Sequence, residues 1–192
     1  MTPDDVTLGL LAGGRAARLG GTDKAWLVRD GVPQVLRWQR RFAAEVAEVL
    51  VGANRDLPRY AQAGLRAVPD RVAGQPGPVA GLDALAAACA TPWLLTLPVD
   101  LVGVNECLLP TLASAGRHGA YAVDDDGVQP LVALWDTSAL RDAAARALVA
   151  GEYAVQALQA GLGMAAVRLP GVRFGNLNTP ADLAAAGIEP PR

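Results

Sequence analysis

Lysine is almost missing from this chain. Of 17 basic residues one is a lysine, Lys24, and the rest are arginines. Histidine occurs once, as His118, and cysteine twice, as Cys89 and Cys107. Two cysteines cannot build a disulfide framework or a four-cysteine zinc site. The single histidine, flanked by Gly116 and Gly119, reads as surface loop rather than general base. No apolar run approaches the ~20 residues needed to span a bilayer. An excess of positive charge is also missing. The net charge of −2 and pI near 5.4 argue against a nucleic-acid backbone as partner. The opening Met1-Thr2-Pro3-Asp4-Asp5 is acidic where a signal peptide is basic, so a cytoplasmic location with no membrane contact is expected.

What is present suits a folded enzyme-sized unit. Of 192 residues, 52% are apolar and 19% charged, which excludes a disordered chain. A chain of this length buries about 70% of its unfolded surface. It is expected to form one domain over residues 1–192.

The order of elements points to an α/β fold. Val6 to Leu11 is a short apolar run ended by glycines and reads as a buried strand. Pro33 suits a first helical position. Val35, Trp38, Phe42, Val46 and Val49 follow at spacings of three and four, one face of a helix. Val49 to Val51 and Leu65 to Val68 read as strands, Val79 to Cys89 as an alanine-rich helix. Trp93 to Leu97 is the most apolar strand, ending in Pro98-Val99-Asp100, and Leu108 to Ala115 is helical. This alternation predicts a parallel sheet covered by helices on both faces. Beyond it, Ala120–Val123 and Leu131–Trp135 read as strands around the acidic turn Asp124-Asp125-Asp126-Gly127, which reads as solvated. Ser138–Val149 and Ala154–Gln159 read as helices, and Ala165–Leu169 and Arg173–Asn176 as short strands. Thr179 is expected to cap a last helix with Pro180 in its first turn. The region after residue 120 is either an insert or a mixed-sheet extension of the same core. The four tryptophans, Trp26, Trp38, Trp93 and Trp135, and also Cys89, fall on apolar patterns that read as packing.

In open α/β sheets ligands bind at the carboxyl ends of the strands. Here those ends carry Leu11-Ala12-Gly13-Gly14-Arg15-Ala16-Ala17-Arg18-Leu19-Gly20-Gly21-Thr22-Asp23-Lys24, then Gly52-Ala53-Asn54-Arg55, Asp70 and Asp100. Glycines allow close backbone approach, so consecutive N–H groups can line an anion site, and Arg15, Arg18 and Lys24 add positive charge. The loop is not a Walker A loop, because no Gly-Lys-Ser/Thr follows, and it lacks the G-x-G-x-x-G spacing of dinucleotide binders. The unique lysine inside it suggests a need for a compact ammonium, which arginine does not supply. Asp23 is expected to cap a turn or pair with a loop arginine.

Leu11 to Lys24 closely resembles the L-A-G-G-x-x-x-R-M-G-G-x-D-K signature of the molybdenum cofactor guanylyltransferase (MobA) family, with Leu19 in place of methionine. The resemblance continues through Val51–Arg55, Pro69-Asp70, Gly77–Gly81, the Asp100 region and Phe174-Gly175-Asn176-Leu177-Asn178-Thr179-Pro180-Ala181-Asp182-Leu183, nearly the whole chain. It implies a Rossmann-like three-layer α/β sandwich of nucleotidyltransferase type, with a mostly parallel central sheet. It implies transfer of GMP from GTP to molybdopterin, with release of pyrophosphate. It implies Mg²⁺ as cofactor and transient handover between proteins of molybdenum cofactor synthesis and acceptor proteins.

Carried over by position, Leu11, Ala12, Gly13, Gly14, Lys24, Gly52, Asp70 and Asp100 would contact the nucleotide, and Asp100 would also hold Mg²⁺. Arg18 and Lys24 would neutralise the triphosphate. Asn176 and Asn178 match asparagines assigned to the molybdopterin side; turn formation before Thr179-Pro180 is the competing reading. Asp70 is open between accepting from the guanine edge or ribose and capping a turn. Two departures stand out. Gly52 replaces an asparagine frequent in the family, and Asp100 lies in Pro98-Val99-Asp100-Leu101-Val102, where the family shows Cys-Asp followed by proline. The same loop would serve a CTP-using sister enzyme or another small-molecule nucleotidyltransferase. A non-catalytic GTP-binding relative would keep the fold without turnover.

Overall fold

β1 (Val6–Leu11) is buried along almost its whole length and pairs in parallel on both sides, with β4 (Glu48–Gly52) and β6 (Trp93–Pro98). A strand covered on both faces has no polar side, which is why Val6-Thr7-Leu8-Gly9-Leu10-Leu11 reads as one apolar run. The computed structural model describes residues 1–13, 23–72, 74 and 77–188. Seven strands form one sheet in the order β10-β8-β9-β6-β1-β4-β5, with β5 at Arg66–Val68, β8 at Gly119–Asp124, β9 at Gly127–Asp136 and β10 at Ala165–Arg168. β9 runs against its neighbours β6 and β8, and the remaining pairings are parallel. Residues beyond 120 therefore extend the same core as a mixed sheet.

Alternate residues of each strand feed two apolar layers. Leu8, Val51 and Leu95 face α1 (Gln34–Phe42), α2 (Leu57–Gln62) and α4 (Leu108–Ala115). Leu50, Leu94 and Trp135 face α3 (Pro78–Ala88), α5 (Thr137–Ala150) and α6 (Val155–Gly161). This is the expected three-layer sandwich. α3 lies close on the sheet because Gly9 has no side chain: a Cβ there would meet Leu94 Cδ1 at 3.0 Å and Leu85 Cδ1 at 3.1 Å.

Several boundaries differ from the sequence reading. Pro33 is the residue before α1, not its first, and forms the small hairpin β2 (Val28–Arg29) with β3 (Val32–Pro33). α1 ends at Phe42; Val46 is buried just after the turn at 43–45, and Val49 belongs to β4. The acidic turn is only partly solvated. Asp124 is fully buried: one carboxylate oxygen accepts the Asp126 and Gly127 N–H groups at 3.0 Å, and the other accepts the Phe174 N–H at 2.8 Å. Asp125 and Asp126 pair outward with Arg168 and Arg173.

A second, two-stranded sheet pairs β7 (Leu101–Val102) antiparallel with β11 (Gly175–Asn176). It fastens the segment after Asp100 to the C-terminal segment leading into α7 (Pro180–Ala185). Thr179 caps α7 as expected, in a reciprocal capping box with Asp182. Among the described residues no helix is long and apolar enough to cross a membrane.

Candidate active site

The chain leaves β1 in opposite directions, through α1 to β4 and β5 on one side and later through α3 to β6 on the other. Such a reversal leaves a crevice at the strands' carboxyl ends. It is occupied by a cavity of about 280 Å³. Leu11, Ala12 and Gly13 form its floor, with Asn54, Asp70 and Asp100 from the ends of β4, β5 and β6 around it. Lys24, and Gly77 and Pro78 at the start of α3, complete its lining.

Lys24 sits in a single 3₁₀ turn, Lys24–Trp26, capped by the Asp23 carboxylate, which accepts the Ala25 N–H at 2.9 Å. Its ammonium donates to Asp100 Oδ2 at 2.7 Å and to Asn178 Oδ1 at 2.6 Å. The lysine and aspartate side chains are 21% and 19% exposed, so this pair is more desolvated than an ordinary surface salt bridge.

Asp100 is held from every side through its neighbours' backbone. Trp38 Nε1 donates to the Val99 carbonyl at 3.1 Å and Gln34 Nε2 to the Leu101 carbonyl at 2.9 Å, both from α1. The Leu177 N–H donates to the Asp100 carbonyl at 3.0 Å, and the Val99 N–H to the Leu11 carbonyl at 3.1 Å. The turn after Asp100 thus continues into β7 without a proline.

Asp70 is locked by Asn54 in a reciprocal pair. The Asn54 amide donates to Asp70 Oδ2 at 2.8 Å and accepts the Asp70 N–H at 2.8 Å. Gly81 keeps open the space between Asp70 and the floor; a Cβ there would meet Leu11 Cδ2 at 2.9 Å, with Asp70 Oδ1 at 4.0 Å. Two residues further along α3, burial pushes the Asp83 carboxyl up, opposed by the Arg71 guanidinium at 3.3 Å and reinforced by the charge of Asp70.

Leu11, Ala12, Gly13, Lys24, Asp70 and Asp100 therefore converge on one cavity. Gly52 does not line it. A side chain at that position would point at Leu85 of α3, while the Gly52 carbonyl accepts the Ala12 N–H at 2.9 Å. Its neighbour Asn54 supplies the amide at the cavity wall instead. Asn176 and Asn178 also lie off the cavity wall. The Asn178 N–H bonds the Asn176 carbonyl in a tight turn, and the Asn178 side chain turns to Lys24. Gly14, Arg15 and Arg18 lie outside the described residues. Asn54, Gln34 and Tyr60 were not singled out by the sequence reading. Asn54 carried a signal, since it ends a strand beside Asp70's; the other two are visible only through tertiary hydrogen bonds.

The donor set fits a magnesium ion. Among the described residues no cluster of three or more His, Cys, Asp or Glu side chains assembles a metal cage. Mg²⁺ favours one or two hard carboxylates completed by phosphate oxygens and water, and Asp100 offers such a carboxylate on the cavity wall.

The model of the MobA-like NTP transferase domain matches residues 9–165. The chain belongs to that family. As a MobA-like protein it is a nucleotidyltransferase. It is 32% identical over 182 residues to a molybdenum cofactor guanylyltransferase of Yersinia pseudotuberculosis serotype O:1b (strain IP 31758), covering 93% of each chain. A Yersinia pestis (strain Pestoides F) protein of the same name is 31% identical over the same share. Among solved structures, the molybdopterin-guanine dinucleotide biosynthesis protein A of Archaeoglobus fulgidus superposes with a TM-score of 0.69 at 18% identity, over 94% of this chain and 96% of that one. The 2-C-methyl-D-erythritol 4-phosphate cytidylyltransferase of Thermus thermophilus gives 0.69 at 21% identity, over 93% and 96%. At those identities the likeness is one of fold, and the MobA-like sheet is shared with enzymes named for other nucleotides.

Proposed function

We propose that this protein transfers GMP from GTP to molybdopterin. The terminal phosphate oxygen of molybdopterin attacks the α-phosphorus of GTP, the bond from that phosphorus to the bridging oxygen breaks, and pyrophosphate leaves. The observation that carries the reading is the meeting of the unique lysine and Asp100 at 2.7 Å at the sheet's switch point. Around them the floor Leu11–Gly13 brings backbone close to the cavity.

In this reaction negative charge accumulates on the transferring and departing phosphates, so the protein's work is positioning and electrostatic stabilisation. Lys24 neutralises triphosphate oxygens, with Arg18 from the same loop. Asp100 would hold Mg²⁺, which would supply positive charge to polarise phosphate oxygens. Asp70, oriented by Asn54, accepts hydrogen bonds from the nucleoside. Guanine suits a carboxylate there because its edge presents N–H donors. Gly52 supports the floor through its carbonyl. Asn176 and Asn178 are assigned to molybdopterin, a reading supported for Asn178 by its contact with Lys24. A cytoplasmic protein that receives molybdopterin from one partner and passes on the dinucleotide to another fits this scheme.

The decisive experiment supplies GTP, Mg²⁺ and molybdopterin and measures the guanine dinucleotide product with pyrophosphate. Stoichiometric release with GTP and none with CTP is expected. Turnover with CTP alone would make it a cytidylyltransferase, and GTP binding without release a non-catalytic relative. Asp100→Ala is expected to lose at least about a hundredfold in rate with its fold intact. Wild-type turnover in that variant would remove the metal role.

A further inference from the structure

We propose that Tyr60 is a positioning residue for Lys24: its buried hydroxyl holds Asp23, and Asp23 holds the turn from which the ammonium projects. This rests on the reading that Lys24 binds the triphosphate.

α2 is six residues long and buries a single side chain, Tyr60, with no exposed surface. A buried phenol needs a partner for its O–H. Here the partner belongs to a different segment of the cavity lining: the hydroxyl donates to Asp23 Oδ2 at 3.0 Å. The other oxygen of the same carboxylate accepts the Ala25 N–H at 2.9 Å and so caps the Lys24–Trp26 turn. Both oxygens of Asp23 are thus engaged, one by α2 and one by the backbone that carries Lys24.

The turn is gripped a second time through Trp26. Its ring lies 5.0 Å from the Tyr60 ring, and the Arg59 guanidinium covers it at 4.2 Å. α2 follows directly on the segment that gives Asn54, Arg55 and Asp56 to the cavity. One short helix therefore ties the β4 wall to the lysine wall. Burial and the Asp23 charge push the Tyr60 hydroxyl well above its usual range, in keeping with its role as a donor at neutral pH. A contact between ammonium and phosphate is sensitive to placement, since a shift of about 1 Å can cost up to a hundredfold in rate.

A hydroxyl that only stabilises the fold would lower the melting temperature and act independently of Lys24. A positioning hydroxyl acts through it, and a double-mutant cycle separates the two. MgGTP affinity is measured by calorimetry for the wild type, Tyr60→Phe, Lys24→Ala and the double variant, with thermal unfolding as a check on folding. Tyr60→Phe is expected to bind MgGTP about tenfold more weakly. The double variant is expected to bind no more weakly than Lys24→Ala alone. Asp23→Asn keeps an acceptor for the Ala25 N–H but loses the charged partner of Tyr60. It should match Tyr60→Phe, with no further loss when the two are combined. Unchanged affinity in Tyr60→Phe, or the same loss in the Lys24→Ala background, overturns the proposal. Unchanged affinity in Lys24→Ala removes the triphosphate reading itself, and the proposal with it.

Discussion

Lys24 and Asp100 neutralise each other in the protein as it stands, yet the proposed reaction requires each to engage a different partner. The ammonium must turn to phosphate oxygens and the carboxylate to Mg²⁺. At 2.7 Å and largely shielded from water, the pair competes with both ligands. Lys24→Ala therefore has effects of opposite sign. It is expected to weaken GTP binding, while the nucleotide-free protein binds Mn²⁺, a spectroscopic stand-in for Mg²⁺, about tenfold more tightly because Asp100 is released. Electron spin resonance titration of Mn²⁺ checks the second effect; equal Mn²⁺ affinities in variant and wild type would show that the ion pair sets no barrier. Lysine suits such an exchange, being a compact point charge on a flexible stem. Asn54 acts on a smaller scale. Asn54→Ala frees the Asp70 carboxylate and leaves its N–H without the side-chain acceptor. The expected result is a higher KM for GTP, by about five- to tenfold, with kcat little changed.

Among the elements, those that bury a regular apolar face were legible in the sequence. β1 and α4 have the boundaries expected, and β6 extends one residue further, because runs such as Trp93-Leu94-Leu95-Thr96-Leu97 have one physical solution between two helical layers. The Lys24–Trp26 turn, the β2–β3 hairpin and α2 were not legible. Each is short and owes its form to contacts with the rest of the chain, as Leu57–Gln62 does chiefly through the buried Tyr60. The convergence of Lys24, Asp70 and Asp100 followed from strand order; what holds them did not. α1 illustrates the point. Trp38 read as packing, but its indole N–H also fixes the carbonyl before Asp100. Trp38→Phe keeps most of the apolar contact and strands that carbonyl, so stability should fall by about 2 kcal/mol in a denaturant titration. Turnover should fall with it at temperatures where the variant is folded. α7 responds to acid. The Thr179 side chain, the Thr179 N–H and the Asn178 N–H hold the Asp182 carboxyl below its usual value. The cap is therefore formed above the unfolded carboxylate pKa and is lost as pH falls through the folded one. The protection of α7 amides, relative to their intrinsic exchange rates at each pH, is expected to fall in acid before that of β1 does.

At the scale of the whole molecule, Asp124 joins parts that no local pattern relates. It closes the β8–β9 turn and holds Phe174, which leads into β11, Asn178 and the contact with Lys24. Burial by itself would raise its pKa. The N–H groups of Phe174, Asp126 and Gly127 and the Gln129 amide outweigh that, and the carboxyl lies below its usual value. A folded pKa depressed in this way stabilises the protein above the unfolded value of about 3.9. That stabilisation disappears as pH falls through the folded pKa. Asp124→Asn keeps the volume but turns amide hydrogens toward N–H donors on one side. The variant should lose about 3 kcal/mol at neutral pH, because buried donors go unsatisfied. Its loss should shrink as pH falls below the unfolded carboxylate value of about 3.9 and through the folded pKa, where the wild-type carboxylate takes up its own proton. Unfolding curves of the two proteins across that range test the assignment. A loss that stays constant with pH would mean that Asp124 contributes through shape alone, and that the hairpin and the C-terminal segment are joined by packing rather than by a buried charge.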